Sequence, residues 1–179
     1  MIFEPFPNFL PAEYRVKFAT EAWEKREAAV LRRKVFCEEQ GIFVGNDRDA
    51  IDVTAITIVA ISSFAVAAQE VVGTVRIHAA QPGVWWGSRL AVAGEYRRIS
   101  ALGTSLIRLA VSSAHARGCR RFFAHVQSQN APMFQRLHWQ TIEEIVLHGR
   151  PHHFMRADLN HYPPIADAET GFLSLPKAA

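Results

Sequence analysis

The sequence predicts an α/β domain: one mixed sheet with helices packed on its faces. Its 179 residues fit one domain by the usual size of roughly 100 to 200 residues. Its composition, 49% hydrophobic and 21% charged with 10 glycines and 9 prolines, excludes disordered, collagen-like and repeat chains. Its apolar runs alternate between the strand period and the helix period along the chain, which is the pattern of a layered α/β fold.

The elements follow in order. Pro5, Pro7 and Pro11 break up residues 1–12, while Phe3, Phe6 and Phe9 are too apolar for a free tail, so an arm packed on the body or on a second copy is expected. A homodimer is therefore one expectation. Tyr14 to Ala19 alternates as a first strand. Thr20 offers an N-cap oxygen, with Glu21 and Glu24 at the positive end of the helix dipole. Ala28, Leu31, Val35 and Phe36 then recur at helical spacing, and Gly41 is a stop signal. Ile56–Ile61, Phe64–Ala67 and Val71–His78 read as two or three central strands, and Val84–Val92 as another. Leu102, Leu106, Leu109, Ala110 and Ala114 mark a helix ending near Gly118. A strand over Arg121–Val126, a short helix over Ala131–Leu137 and a closing pair, Ile142–Leu147 with His152–Leu159, complete the domain. It is bounded at 13–160, and Pro163, Pro164 and Pro176 mark residues 161–179 as a tail.

Lysine and arginine total 20 against 17 acidic residues, a formal charge of +3, too slight for wholesale nucleic-acid binding. Cys37 and Cys119 have no C-x-x-C spacing, which argues against a disulfide framework or zinc ribbon. The first residues lack a basic start and an apolar run, and the apolar stretch Ala55–Ala68 falls short of the roughly 20 residues that span a bilayer. A cytoplasmic protein with no membrane partner is expected.

Charge is segregated. Between Arg97 and Ile142 there are seven arginines and no carboxylate. Arg97 and Arg98 stand just before a helix start, where free N–H groups and the macrodipole favour phosphate, and Gly103 permits close backbone approach. A solvated arginine-rich face accounts for the same run. Glu38, Glu39, Asp47, Asp49 and Asp52 outnumber Arg48 and leave a net charge of −4 between residues 38 and 52. This acidic stretch suits a cationic amine, which must lose a proton before it attacks an electrophile; a solvated loop is the alternative. His148, His152 and His153 are close in sequence, but alternation puts the last two on opposite strand faces, so no metal is expected. His125 and Gln127 share one strand face.

The stretch RLAVAGEYRRISALGTSLI, Arg89 to Ile107, resembles the acyl-CoA signature of the GCN5-related N-acetyltransferase (GNAT) superfamily. Arg98, Ala101 and Gly103 occupy the fixed places of R/Q-x-x-G-x-G/A, with alanine for the first glycine. QNAPMFQRLHW, Gln129 to Trp139, resembles the family's downstream N-x-x-A-x-x-F-Y-x-x-L-G-F region, with Gln135 where a tyrosine acid often stands. The resemblance spans Tyr14 to Leu159 and implies a mostly antiparallel sheet of six to seven strands with about four helices, splayed at the acyl-CoA site. It implies that the strand end Leu90, Ala91 and Val92 meets pantetheine through Val92 and that Arg97, Arg98, Ile99, Ser100, Ala101, Leu102, Gly103, Thr104 and Ser105 surround the pyrophosphate. Asn130 and Phe134 would flank the arm near the thiol.

LRRKVFCEEQGIF, DRDAID, GTVRI and WWGSRLAV are similar to segments of acyl-homoserine-lactone synthases of the same fold. Arg32, Phe36, Asp49, Asp52, Arg76 and Arg89 match in order, whereas the family's glutamate is Trp86 and its tryptophan Ile42. The similarity places an acceptor pocket among Arg32, Phe36, Glu38, Asp52, Arg76 and Arg89. The expectation is transfer from acetyl-CoA to a small-molecule primary amine, with Glu39 and Asp49 as proton acceptors. The alternatives are a longer acyl donor with an amino-acid or S-adenosylmethionine-like acceptor, and a CoA-binding module without catalysis.

Overall fold

Tyr14, Val16 and Phe18 are buried, with Arg15 and Lys17 between them half buried, and this alternation forms β1 (Tyr14–Phe18). In this computed structural model the described residues are 13–62, 70–98 and 101–174. The expected arm over residues 1–12, the strand over Phe64–Ala67, and Ile99, Ser100 and Pro176 therefore lie outside them.

Helix α1 (Ala22–Arg33) is capped by Glu21, not Thr20. The Thr20 hydroxyl instead accepts from Lys17 Nζ at 2.9 Å, and the same ammonium holds the buried Glu24 carboxylate at 2.8 Å. That pair fixes Glu24 where it can accept the Glu21 N–H at 3.3 Å. The helix runs on as a π-helical turn over Lys34–Glu39, and Gly41, at φ 62°, ends it as expected. Ala28, Leu31, Val35 and Phe36 pack on Val59, Ile61, Val71 and Ala91. These belong to β2 (Ile56–Ser62), β3 (Glu70–Gln81) and β4 (Val84–Val92). On the opposite face lies α2 (Ala101–Ala116), whose Leu102, Leu106, Leu109 and Ala110 enter the larger core beside Val75, Trp85 and Phe122. The remaining elements are β5 (Arg121–Gln127), α3 (Ala131–Arg136), β6 (Trp139–Leu147), β7 (Arg150–Ala157) and β8 (Phe172–Ser174).

One sheet results, in the order β6-β7-β5-β4-β3-β2-β1-β8, antiparallel except for β4 with β5. Eight strands replace the expected six to seven, and three α-helices the expected four, among the described residues. The extra strand comes from the segment read as a tail. Tyr162 is buried and its hydroxyl donates to Leu137 O at 2.5 Å; Phe18 N–H donates to Ala168 O at 2.8 Å. At Gly171, φ 65°, the chain passes so close to β1 that a Cβ would stand 1.8 Å from Val16 O. Proline density there marks a path without ladder bonds, not a lack of packing.

Candidate active site

The parallel ladder of β4 and β5 holds only Val84–Arg121, Trp85–Phe122 and Trp86–Phe123. Beyond it the strands part. Gly87 lies against the Phe122 ring, where a Cβ would come within 3.1 Å, so the ring occupies the space just past the last pair. The register with β3 also slips between Thr74–Ala91 and Arg76–Ser88, one extra residue on β4, and Arg89 takes φ 56° in this bulge. A non-glycine residue in that region is uncommon, and here it turns the guanidinium toward the acidic loop. Ala93 N–H donates to Val72 O at 2.8 Å, which makes Gly73–Val92 a non-hydrogen-bonded pair. The Val92 peptide groups therefore point away from β3, onto the splay. Arg97 Nε donates to the Val92 carbonyl oxygen at 2.9 Å, leaving the Val92 N–H facing the opening.

Two concavities meet at this split. A groove of about 940 Å³ runs along Leu90, Ala91 and Val92, the start of α2 and one side of α3. Ala101, Gly103, Thr104 and Ser105 line it, with Arg97, Arg108 and Arg136 as its cations and Phe172–Ser174 of β8 as one wall. A Cβ on Gly103 would meet nothing within 4 Å, so the helix leaves open space at that residue. The Arg108 guanidinium sits 4.9 Å from the Phe172 ring centre, and Ser105 Oγ bonds Ser174 Oγ at 2.7 Å. This donor-rich helix start with arginines on both banks suits a diphosphate. The second concavity, of about 460 Å³, shares Leu90 and Asn130 with the first. It is lined on the α2 side by Ile107, Ala110, Ala124, Val126 and Phe134, and on the α1 side by Phe36, Ile42, Phe43, Asp49, Arg76, Trp86 and Arg89.

The expected acidic stretch is mostly a neutralised network. Arg32 binds Asp47 at 2.7 Å and Asp52 at 2.7 Å; Arg76 binds Asp49 at 2.7 Å and Asp52 at 2.9 Å; Arg89 binds Asp47 at 3.0 Å and Asp49 at 3.3 Å. Arg76 Nε also donates to Ser88 Oγ at 2.8 Å. The Arg76 hydrogen bonds hold the Asp49 carboxyl below the usual carboxylate range. Burial alone would raise Asp52, but the bonds from Arg32, the Asp49 N–H and Arg76 keep it well below that range. Asp49 thus lines the cavity as a committed partner of two arginines, which makes it a weak proton acceptor. Glu39 lines neither concavity and is ion-paired to Arg97. Glu38 is exposed and also lines neither, and Arg32 and Asp52 stand behind the cavity wall. Of the expected acceptor residues, Phe36, Arg76 and Arg89 reach the cavity.

On the diphosphate side, Arg98 is exposed and lines neither concavity, while the Leu102 side chain is in the core because the helix turns it inward. Asn130 stands where the two concavities join; Phe134 packs edge-on against Trp139 at 5.1 Å. Gln135 is exposed, and Tyr96 is buried edge-on against Tyr14, with burial pushing its hydroxyl up.

Histidines are the residues that sequence reasoning undervalued. His78, His125, His148 and His152 all line the cavity. They come from β3, β5, the β6–β7 turn and β7, so chain spacing shows only their strand parity. Burial lowers His125 and His78, aided by His152 in the first case and Arg76 in the second. Among the described residues no group of three or more His, Cys, Asp or Glu side chains is arranged to hold a metal, and no helix is long and apolar enough to cross a membrane.

Residues 46–139 match the sequence profile of the Acetyltransferase (GNAT) family. The chain belongs to the GNAT acetyltransferase family. No curated protein matches it. Among solved structures, Escherichia coli ElaA is 18% identical with a TM-score of 0.67, covering 81% of this chain and 98% of that one. An acyl-CoA N-acyltransferase from Pseudomonas aeruginosa is 18% identical with a TM-score of 0.64, covering 81% and 99%. The CoA-dependent acyl-homoserine lactone synthase BjaI, solved with SAM and isopentyl-CoA, is 14% identical with a TM-score of 0.65, covering 81% and 83%. At these identities the likeness concerns the GNAT fold, including its lactone-synthase branch.

Proposed function

We propose that this protein transfers an acyl group from acyl-CoA to the amine of a small molecule by direct attack, and that the acyl group is longer than acetyl. The observation that carries this reading is the split between β4 and β5, which joins a phosphate-suited groove to a cavity of about 460 Å³ that is apolar on its α2 side. Acetyl needs almost none of that space. The chamber favours the longer-donor alternative over the simpler acetyl expectation, and BjaI with isopentyl-CoA lends the same support.

In this reading, the amides of Ala101 and Gly103 with Arg108 and Arg136 hold the diphosphate end of CoA. The remote phosphates thereby fix the thioester at the split without taking part in bond making. The Val92 N–H is aimed where negative charge develops on the carbonyl oxygen. The acyl chain lies among Ala110, Ala124 and Val126, and the amine approaches from the side of Phe43, Arg76 and Arg89. The departing thiolate leaves without a side-chain acid, because Gln135 cannot act as one.

Gly103→Leu tests the groove. With open space at the Cβ position and a better helix former, the variant should melt no lower than the parent. Its affinity for CoA by calorimetry should fall at least about tenfold, or roughly 1.4 kcal/mol. Unchanged CoA affinity in a folded Gly103→Leu protein removes the diphosphate assignment. Thiol release from a donor series, acetyl- to decanoyl-CoA, over amino acids and alkylamines tests the transfer itself.

A further inference from the structure

The transfer proposed above needs a group to take the ammonium proton, and the two carboxylates expected to do so are committed to arginines. Among the other polar side chains on the acceptor side of the cavity, His152 has a defined protonation pattern. It is 7% exposed, on β7 opposite Gln127 of β5, and lines the cavity. Its Nδ1 lies 2.8 Å from the Arg150 carbonyl oxygen. A carbonyl can only accept, so Nδ1 carries the hydrogen and Nε2 holds the free lone pair. Among the described residues Nε2 has no hydrogen-bond partner and is not sealed off, unlike His78 Nδ1, which is buried with none.

We infer that His152 is the general base of this site, with Nε2 accepting the acceptor's ammonium proton directly or through one water. This rests on the acyl-transfer reading. Nε2 takes one proton from R–NH3+, and the freed lone pair forms the N–C bond at the thioester carbonyl. The C–S bond then breaks, the departing thiolate takes the second amine proton to give free thiol, and the imidazolium returns its proton to solvent. The Nδ1–H bond to Arg150 orients the ring and stabilises the imidazolium that forms. His125 on β5 and His148 in the turn are its titratable neighbours, and Glu143 of β6 lies on the same sheet face. Across the cavity, Asp49, Arg76 and Arg89 are already paired with one another.

His152→Asn is the decisive variant, because its amide N–H can still donate to the Arg150 carbonyl but cannot take a proton. With octanoyl-CoA, the best amine of the panel and thiol release as readout, kcat should fall on the order of 10²-fold or more. CoA affinity should be unchanged, the acidic limb of the pH–rate profile should vanish, and imidazole should restore rate to His152→Ala. A His152→Asn enzyme of parental kcat with the acidic limb intact overturns the inference. Should that variant not fold, the parent decides: a rate independent of pH between about 5 and 8 overturns it equally. If the parent binds CoA yet transfers to no amine, the acyl-transfer reading fails first and this inference falls with it.

Discussion

Arg76 is 2% exposed, and its guanidinium holds two carboxylates, Asp49 and Asp52, at 2.7 and 2.9 Å. Arg76→Met keeps most of the apolar stem and removes the charge. Breaking a buried pair from one side costs about 3–5 kcal/mol, because the stranded charge keeps its desolvation penalty. The lower end applies here. Asp49 is 37% exposed and retains Arg89, and Asp52 retains Arg32. A loss of about 3 kcal/mol, at roughly 2–4 °C per kcal/mol for a domain of this size, lowers Tm by about 6–12 °C. Thermal melts by circular dichroism at pH 7, with urea unfolding as a second measure, read this directly. The pH dependence has a definite sign. Both carboxyls are depressed in the folded state, so their contribution is fully present above the unfolded value of about 3.9 and is lost as pH falls toward the folded values. The gap between parent and variant should therefore narrow below about pH 4. A loss under about 1 kcal/mol at pH 7, in the range of an exposed pair, refutes the view that this network is a buried structural unit.

Ala124→Phe fills the α2 side of the cavity; it should cut kcat/KM for decanoyl-CoA by at least about tenfold while leaving butyryl-CoA within about twofold, since one or two methylenes in a pocket carry about 1–3 kcal/mol. Arg108→Glu should weaken CoA by calorimetry at low salt, and the deficit should shrink as salt rises, because Arg108 is exposed on the groove bank. Gly171→Ala places a methyl against Val16 O and should release β8, seen as faster hydrogen exchange at Phe172–Ser174 and weaker CoA binding through loss of that wall. The Cys119 thiol is pushed up to about 11 by burial, so iodoacetamide at neutral pH should leave it unmodified until the protein unfolds.

Periodicity and caps along the chain announced β1, α1, β4, α2, β5 and α3 because each depends on neighbours within a few residues: alternating Tyr14–Val16–Phe18, the Leu102–Leu106–Leu109 stripe, the stop at Gly41. The start of α2 was legible for the same reason, since a helix end is a local feature, but the cations beside it were not: Arg98 lines neither concavity, and Arg136 arrives from α3. β8 was not, because its strand exists only where Gly171 meets β1, some 155 residues earlier by the Arg15–Thr170 bond. Nor was the fate of the acidic loop. Five carboxylates against one arginine read as a charged lip in one dimension, but Arg32, Arg76 and Arg89 arrive from α1, β3 and β4 and neutralise its three aspartates in three. The cavity and its histidines belong to the same class. A split between two strands, and the convergence on it of histidines from β3, β5, β7 and the β6–β7 turn, arise from distances between remote segments, which local sequence pattern does not encode.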